Sequence, residues 1–248
     1  MRAFCLCVVL LAGCTRTRAE PAADGGFALL ELFTSEGCSS CPPADALLAQ
    51  LVREAAGARQ PVYALSFHVD YWNNLGWRDP FSRADAASRQ RAYAAALGER
   101  SVYTPELVVN GREAFNGSNQ ARARGSIREA LKREPRTRLA LHAQAQGDRV
   151  QLQFTVQGTR FPRAVLHVAL VQDEARSHVT RGENEGRALH HVMVVREFRS
   201  LNYAEIAAGK TTLPLSEAAR VGHRFIAYLQ DMPSMEILAA ASATLAGR

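Results

Sequence analysis

The chain has 248 residues, of which 47% are hydrophobic and 22% are charged, and its formal net charge is +6 at pH 7. This length allows one large domain or two modest ones, and the composition excludes collagen-like and wholly disordered chains. Because the positive charge lies in scattered Arg residues and not in a dense basic run, the sequence predicts no nucleic-acid binding.

Residues 1–19 are predicted to be a targeting segment and not part of the fold. A positive start precedes a short apolar stretch at residues 3–11, which is too short to cross a membrane as a helix. That stretch ends in Leu11-Ala12-Gly13-Cys14, which resembles the lipobox of bacterial lipoproteins and implies cleavage before Cys14 and a lipid anchor on its thiol. The alternative is a plain secretory signal cut nearer Ala19. Both interpretations place the mature chain outside the cytoplasm, and the lipobox makes it a membrane-anchored lipoprotein of the periplasm.

Residues 20–26 are a polar tether, and the segments after them predict a β-α-β unit. Residues 27–33 form a short apolar run typical of a buried strand, and residues 62–69 form a second run rich in β-forming residues. Between these runs, four apolar side chains share one helical face: Leu47, Leu48, Leu51 and Val52. Two strands joined through a helix are expected to pair in parallel by a right-handed crossover.

The chain continues with an aromatic loop at residues 70–81 and an Ala-rich helix at residues 83–97. Asn110-Gly111 then lies between two extended runs, which is the strongest short-range signal for a β-hairpin. A last amphipathic helix is predicted at residues 121–133. The predicted order through residue 134 is therefore β-α-β-α-β-β-α.

Beyond Pro135, strand-length segments replace helices. Several short strands in series, separated by turn-forming residues, favour a mainly antiparallel, β-sandwich-like domain. We therefore predict a boundary at the charged link near residues 134–138, with one domain at 27–135 and a β-rich domain at 136–248. The predicted strands of the second domain are residues 139–145, 150–156, 165–172, 190–198, 211–215 and 225–230.

Two thiols, Cys38 and Cys41, stand three residues apart between the first strand and the first helix. Cys5 and Cys7 are expected to leave with the targeting segment and Cys14 to carry the anchor, so the pair can bond only to each other or to a partner protein. The His residues are dispersed and there is no second Cys pair, so no zinc site is predicted.

The position of the pair favours redox chemistry. A helix N-terminus carries partial positive charge and unpaired N–H groups, which favour the thiolate that attacks disulfides. Pro42 and Pro43 are tolerated only in the first turn of a helix, so they place the helix start at about residue 40 or 41. Cys38 is the expected nucleophile and Cys41 the resolving thiol that expels the partner. Glu36, close to Cys38 in the chain, opposes thiolate formation.

The β-α-β unit, the Cys-Ser-Ser-Cys at its turn and Thr104-Pro105 before a hairpin together resemble the thioredoxin superfamily. More closely, ELFTSEGCSSCPPAD, SFHVDYWNNLGWRDPF, QRAYA and VYTPELVVNG are similar to the secreted thioredoxin-like family known as domain of unknown function 1223. The likeness continues through residues 181–187 and covers nearly all of the mature chain. It implies an α/β thioredoxin-like domain, with a central mixed sheet flanked by helices, ahead of the β-rich domain. It also implies that Pro105 is a cis proline against the Cys pair, where Thr104 and Pro105 help to hold substrate backbone.

The sequence departs from typical thioredoxins around the pair. Gly37 stands where they carry Trp, and the Ser39-Ser40 spacer lacks the His that strongly oxidising relatives use to stabilise thiolate. The resemblance makes Glu31 the candidate for the carboxylate that thioredoxins bury beneath the second Cys. The direction of electron flow stays open, because the pair could reduce, oxidise or isomerise disulfides.

Other candidate residues follow the second strand, where ligands gather in open α/β sheets. Candidates for substrate contact are His68, Asp70, Tyr71 and Trp72. The alternative is an aromatic loop that only packs over the domain, with residues 77–80 as its anchor. In the second domain, Glu183-Asn184 and His190-His191 are expected to form an interaction or stabilising surface. Adjacent His residues in a strand point to opposite faces, which opposes joint metal ligation.

The sequence thus predicts an extracytoplasmic thiol-disulfide oxidoreductase that acts on protein thiols and disulfides and needs no cofactor. One alternative is a copper chaperone whose thiols bind Cu(I) as soft ligands, although every Met beyond Met1 lies in the second domain. The other alternative is a binding or assembly module in which the pair is only a structural disulfide.

Overall fold

The computed structural model describes residues 25–159, 162–201, 206–214 and 222–245. The first half of the chain contains β1 (Ala28–Thr34), α1 (Pro42–Gly57), β2 (Val62–His68), α2 (Ala84–Leu97), β3 (Glu106–Val109), β4 (Glu113–Asn116) and α3 (Gln120–Lys132). The second half contains β5 (Thr137–Gln146), β6 (Arg149–Gly158), β7 (Ala164–His178), β8 (Ala188–Leu201), β9 (Lys210–Pro214), β10 (His223–Asp231) and β11 (Ile237–Ala243). The predicted targeting segment, Cys14 and its anchor lie outside the described residues. Within those ranges, the helices are all too short or too polar to cross a membrane.

The predicted elements are confirmed, with boundaries shifted by a few residues. β1 and β2 pair in parallel along their length, and β3 and β4 form the predicted antiparallel hairpin. Its turn residues Asn110 and Gly111 both have positive φ, 50° and 65°, as a tight hairpin turn requires. β11 was not predicted, because its sequence ILAAASA is rich in Ala, which has low β propensity. It is a strand because it pairs with β10 and buries alternate side chains.

The strands of the described residues form two sheets. Eight strands form a mixed sheet in the order β11-β10-β7-β8-β2-β1-β3-β4, and three form an antiparallel sheet in the order β5-β6-β9. The molecule is therefore an α/β fold with a second, antiparallel sheet. One apolar cluster packs the helices onto the large sheet, and a second lies between the two sheets.

The second half differs from the separate sandwich that the sequence predicts. β8 pairs in parallel with β2, with Ser66 opposite Val194, so four strands of the second half extend the sheet of the first half. Among the strands that the structure describes, β5, β6 and β9 form the opposing layer. This arrangement covers the edge of β2, whose backbone N–H and C=O groups would otherwise lack partners. The domain boundary near residue 135 stays a prediction.

Candidate functional site

Cys38 and Cys41 form a disulfide at the turn from β1 to α1, with their Cα atoms 5.4 Å apart. Neither cysteine is exposed to solvent, whereas the two Ser residues between them are exposed. Cys41 is the N-cap residue of α1, and its carbonyl oxygen accepts hydrogen bonds from the N–H groups of Ala44 and Asp45. Prolines occupy the first two helical positions. The predicted place of the pair at the helix entrance is confirmed.

The loop that ends at β3 lies beside the pair. The Thr104–Pro105 peptide bond is cis, as the resemblance implied. Ser40 connects this loop to the pair, because its hydroxyl lies 3.3 Å from Cys38 Sγ and 3.5 Å from the Thr104 carbonyl oxygen. Trp72 Nε1 donates to Thr104 Oγ1 at 2.9 Å. Trp72 and Thr104 are therefore brought to the rim of the Cys pair, together with Pro105.

Tyr71 and Asp70 lie in the same aromatic loop as Trp72 and make other contacts. The Asp70 carbonyl oxygen accepts a hydrogen bond from the backbone N–H of a residue later in the loop, at 3.0 Å. The Tyr71 hydroxyl donates to Gln90 Oε1 at 3.1 Å, and burial raises the pKa of Tyr71 to about 12. Gln90 Nε2 in turn donates at 2.7 Å to Oε2 of Glu106, the residue that directly follows the cis proline. Burial raises the pKa of Glu106 to about 8, so this carboxyl is mostly protonated at neutral pH.

Glu36, two residues before the first thiol, is fully buried and bonded on every side. Its Oε2 accepts a hydrogen bond from Trp77 Nε1 at 2.7 Å. Its Oε1 accepts one from the Ser177 hydroxyl and lies 3.2 Å from His191 Nε2. Its backbone N–H donates to Asp79 Oδ2 at 2.9 Å. Elements from both halves of the chain therefore hold this carboxylate in place.

His191 lies between two buried carboxylates. Its Nε2 is 3.2 Å from Glu36 Oε1, and its Nδ1 is 3.5 Å from Asp45 Oδ2. Burial alone would lower the pKa of His191, but Asp45 and Glu36 outweigh it and raise the pKa to about 9. The imidazole is therefore charged at neutral pH. Asp45 lies one turn after Cys41, so the charged cluster lies on the side of α1 that carries the second thiol.

His68 lies behind the pair and not at its rim. Its Nδ1 is 2.7 Å from Asp79 Oδ2, both side chains are buried, and the ring centroids of His68 and His191 are 4.7 Å apart. Burial alone would raise the pKa of Asp79, but His68 and two backbone N–H groups lower it overall. Through Trp77 and Asp79, the segment 77–80 anchors the aromatic loop as predicted and also holds Glu36.

The loop between β7 and β8 is hydrogen-bonded to the turn that carries the disulfide. The fully buried Asn184 donates through Nδ2 to the carbonyl oxygens of Glu36 at 2.8 Å and Cys38 at 2.9 Å. Glu183 Oε2 accepts a hydrogen bond from the Ser39 N–H at 2.9 Å. These two residues, for which the sequence predicted only an interaction or stabilising surface, are part of the site itself.

The structure contradicts Glu31 as the carboxylate beneath the second Cys. Glu31 Oε1 pairs with Arg89 Nε of α2 at 2.8 Å and accepts the Tyr228 hydroxyl of β10 at 2.9 Å. Its oxygens are therefore engaged in a different buried cluster. The carboxylates around the Cys pair are instead Glu36 and Asp45, which are close to it in sequence, and Glu183, which is distant in sequence and bonds to the Ser39 N–H.

Across the described ranges, His, Cys, Asp and Glu side chains form no group of three or more that is arranged to hold a metal ion. The fold and the site define an α/β protein with a buried disulfide at a strand-to-helix turn. The family described as protein of unknown function DUF1223 matches residues 29–230, and the chain belongs to this family.

The solved structures that are similar to this chain include two that match about nine-tenths of it. Protein AGR_C_4864 from Agrobacterium tumefaciens is 27% identical with a TM-score of 0.65, and the match covers 91% of this chain and 96% of that one. HBP35 of Porphyromonas gingivalis is 16% identical with a TM-score of 0.60, over 90% of this chain and 76% of that one, and it shows the fold alone. Among curated proteins, no sequence matches significantly.

Proposed function

We propose that the protein is a thiol-disulfide oxidoreductase that acts on protein thiols and disulfides outside the cytoplasm. The observation that carries the proposal is the Cys38–Cys41 disulfide at the start of α1, joined through Ser40 to the loop that holds Pro105. The order β1-α1-β2-α2-β3-β4-α3, with the thiols at a helix entrance, resembles that of a thioredoxin-like domain and supports the same function.

The chemistry is a two-step exchange. A thiolate of a reduced substrate attacks Cys38 Sγ, the Cys38–Cys41 bond breaks, and the electron pair leaves on Cys41 Sγ, which takes up a proton. The second substrate thiolate then attacks the substrate sulfur of the mixed disulfide and expels Cys38. The substrate becomes a disulfide and the protein a dithiol, so two electrons pass to the pair. Run in reverse, the same steps reduce a substrate disulfide.

The roles of the two thiols are tested by trapping. We expect Cys41→Ser to accumulate mixed disulfides through Cys38, because the resolving thiol is gone, while the matched variant Cys38→Ser accumulates none. The wild-type pair should cycle between disulfide and dithiol in glutathione buffers. Trapped adducts are counted by non-reducing electrophoresis and mass spectrometry. No adduct with Cys41→Ser, together with no cycling of the wild type, would rule out the oxidoreductase.

One observation favours a second candidate, a binding module with a structural disulfide. Both cysteines are fully buried, and Asn184 holds the carbonyl oxygen of Cys38. In that case, the disulfide resists reduction by glutathione, and the Cys38→Ser/Cys41→Ser double variant keeps its partner binding. The same titration in glutathione buffers separates the two functions.

We also propose that Cys14 anchors the protein to a membrane in the periplasm, on the ground of the lipobox sequence alone. Cys14→Ser should move the protein from the membrane fraction to the soluble fraction, because the lipid supplies the affinity. Fractionation and the mass of the mature N-terminus are the measurements. A soluble wild-type protein that begins near Glu20 would favour the plain secretory signal.

A further inference from the structure

The backbone N–H groups around Cys38 already have acceptors. The Cys38 N–H donates to the Ser35 carbonyl oxygen at 3.2 Å, and the Gly37 N–H donates to Ser35 Oγ at 3.1 Å. The next N–H, that of Ser39, donates to the Glu183 carboxylate at 2.9 Å. A Cys38 thiolate would be stabilised by such N–H donors. The Ser39 donor is instead used by an anion from the other half of the chain.

The charges around the pair are mainly acidic. The ionisable groups that face it from neighbouring elements are Glu36 of the β1–α1 turn, Asp45 of α1, His68 and Asp79 after β2, Glu183 and Arg187 of the β7–β8 loop, and His191 of β8. The imidazole of His191 lies beside both Glu36 and Asp45, so two carboxylates share one cation. The Arg187 guanidinium donates to the Asn184 side chain. The hydrogen bonds from Ser39 lower the pKa of Glu183, so this group is an anion at neutral pH. Negative charge beside a thiol disfavours the thiolate.

The same loop closes the site. Asn184 joins the carbonyl oxygens of Glu36 and Cys38, and neither cysteine reaches solvent. A substrate sulfur therefore meets Cys38 only after the surrounding segments, the β7–β8 loop among them, move away. Glu183 is exposed, so its main effect is the negative charge that it places beside the Cys pair. Asn184 is buried, so its main effect is to hold the loop closed against the pair.

We propose that Glu183 and Asn184 are positioning residues for Cys38, and that they poise the Cys pair as a reductant of substrate disulfides. This inference rests on the proposed function and adds the direction of electron transfer, from the Cys pair to the substrate. A couple becomes strongly oxidising when its reduced form is stabilised, as by a low-pKa thiolate. Here a carboxylate occupies the Ser39 N–H and adds negative charge, so the reduced form lacks that stabilisation.

The productive direction follows from these contacts. Cys38, after losing its proton to solvent, attacks one sulfur of a substrate disulfide, and the other sulfur leaves as a thiolate that takes up a proton. Cys41, deprotonated in turn, attacks Cys38 Sγ and releases the second substrate thiol. Two electrons pass from the pair to the substrate, and a partner protein dithiol returns the pair to its reduced state.

Glu183→Gln tests the charge, with Glu185→Gln as the matched control in the same exposed loop. We expect Glu183→Gln to lower the Cys38 thiol pKa by about one unit. In glutathione buffers at a pH above the wild-type thiol pKa, it should favour the reduced pair about tenfold, a shift of about 30 mV. Glu185→Gln should change neither quantity. The measurements are thiolate absorbance against pH in the reduced protein and the equilibrium constant with glutathione.

Asn184→Ala tests closure by a separate readout, the rate at which a small dithiol reduces the disulfide. We expect this rate to rise at least tenfold, while circular dichroism confirms that the variant is folded. Two results would overturn the inference even when the wild-type pair cycles between disulfide and dithiol. One is a Glu183→Gln variant whose Cys38 thiol pKa and equilibrium constant with glutathione are unchanged, and the other is a wild-type Cys38 thiol pKa below about 7. A wild-type protein that does not cycle at all overturns the proposed function instead.

Discussion

Replacing Arg89 with methionine should lower the free energy of unfolding by about 3–5 kcal/mol, because it leaves a buried carboxylate without its counter-ion. Arg89 Nε and Nη2 donate to the two oxygens of Glu31 at 2.8 and 3.0 Å, and the Glu31 side chain has no solvent exposure. The guanidinium also lies over the rings of Phe67 and Tyr228, with its carbon 5.7 and 5.3 Å from their centroids. Burial would lower the pKa of Arg89, but Glu31 raises it overall, so the guanidinium stays charged.

This cluster joins β1, α2 and β10, so its loss loosens the contact between the two halves of the chain. Arg124→Met is the matched control, since Arg124 pairs with Glu54 at the surface, where solvent screens the pair and its loss should change stability far less. The double variant Arg89→Met/Glu31→Leu should recover much of the lost stability, because no unpaired charge remains. Urea unfolding followed by circular dichroism gives all three values. Equal losses of unfolding free energy for Arg89→Met and Arg124→Met would contradict the role of Arg89 as the counter-ion of the buried Glu31.

His191→Gln is expected to remove a pH-dependent part of the stability of the oxidised protein. The pKa of His191 is raised to about 9 in the folded state, above the value of about 6.5 expected in the unfolded chain. Its stabilisation is therefore complete below about pH 6.5 and is lost as the pH rises to about 9. A shift of this size corresponds to about 3 kcal/mol.

The measurement is the free energy of unfolding at several pH values between about 6 and 10. Wild type should lose stability across this window, whereas His191→Gln should start less stable at about pH 6 and show a flatter profile. His190→Gln is the control, because its ring is half-buried and lies 3.6 Å from the exposed Glu174. It should keep the wild-type slope. The cysteines do not titrate while they are disulfide-bonded, so they add nothing to the comparison. A His191→Gln profile parallel to that of wild type would refute the raised pKa of His191 between Glu36 and Asp45.

Local patterns predicted most of the elements because their causes lie within a few residues. Pro42 and Pro43 set the start of α1, and Asn110-Gly111 set the hairpin turn, each through its own backbone preference. The sequence did not predict β11, because the conformation of this segment depends on contacts outside it. Its Ala-rich segment has little preference for a strand by itself, and pairing with β10 decides its conformation.

The candidate site shows the same division. Cys38, Cys41 and Pro105 were found from short motifs, and the structure brings them together around Ser40. Glu31 was wrongly chosen for the buried carboxylate. Position along a strand does not reveal which cluster a side chain joins, and Glu31 pairs with Arg89 instead.

By itself, the sequence determined the family, the thiol pair at a strand-to-helix turn and the order of the elements, since these depend on neighbouring residues. Only the tertiary structure decided that β8 extends the sheet beside β2. That pairing brings Asn184 to Cys38, 146 residues away, and His191 to Glu36, 155 residues away. Contacts at such separations leave no periodic or local pattern in a single sequence. They arise because β8 completes the edge of β2, and this pairing places the second half of the chain over the disulfide.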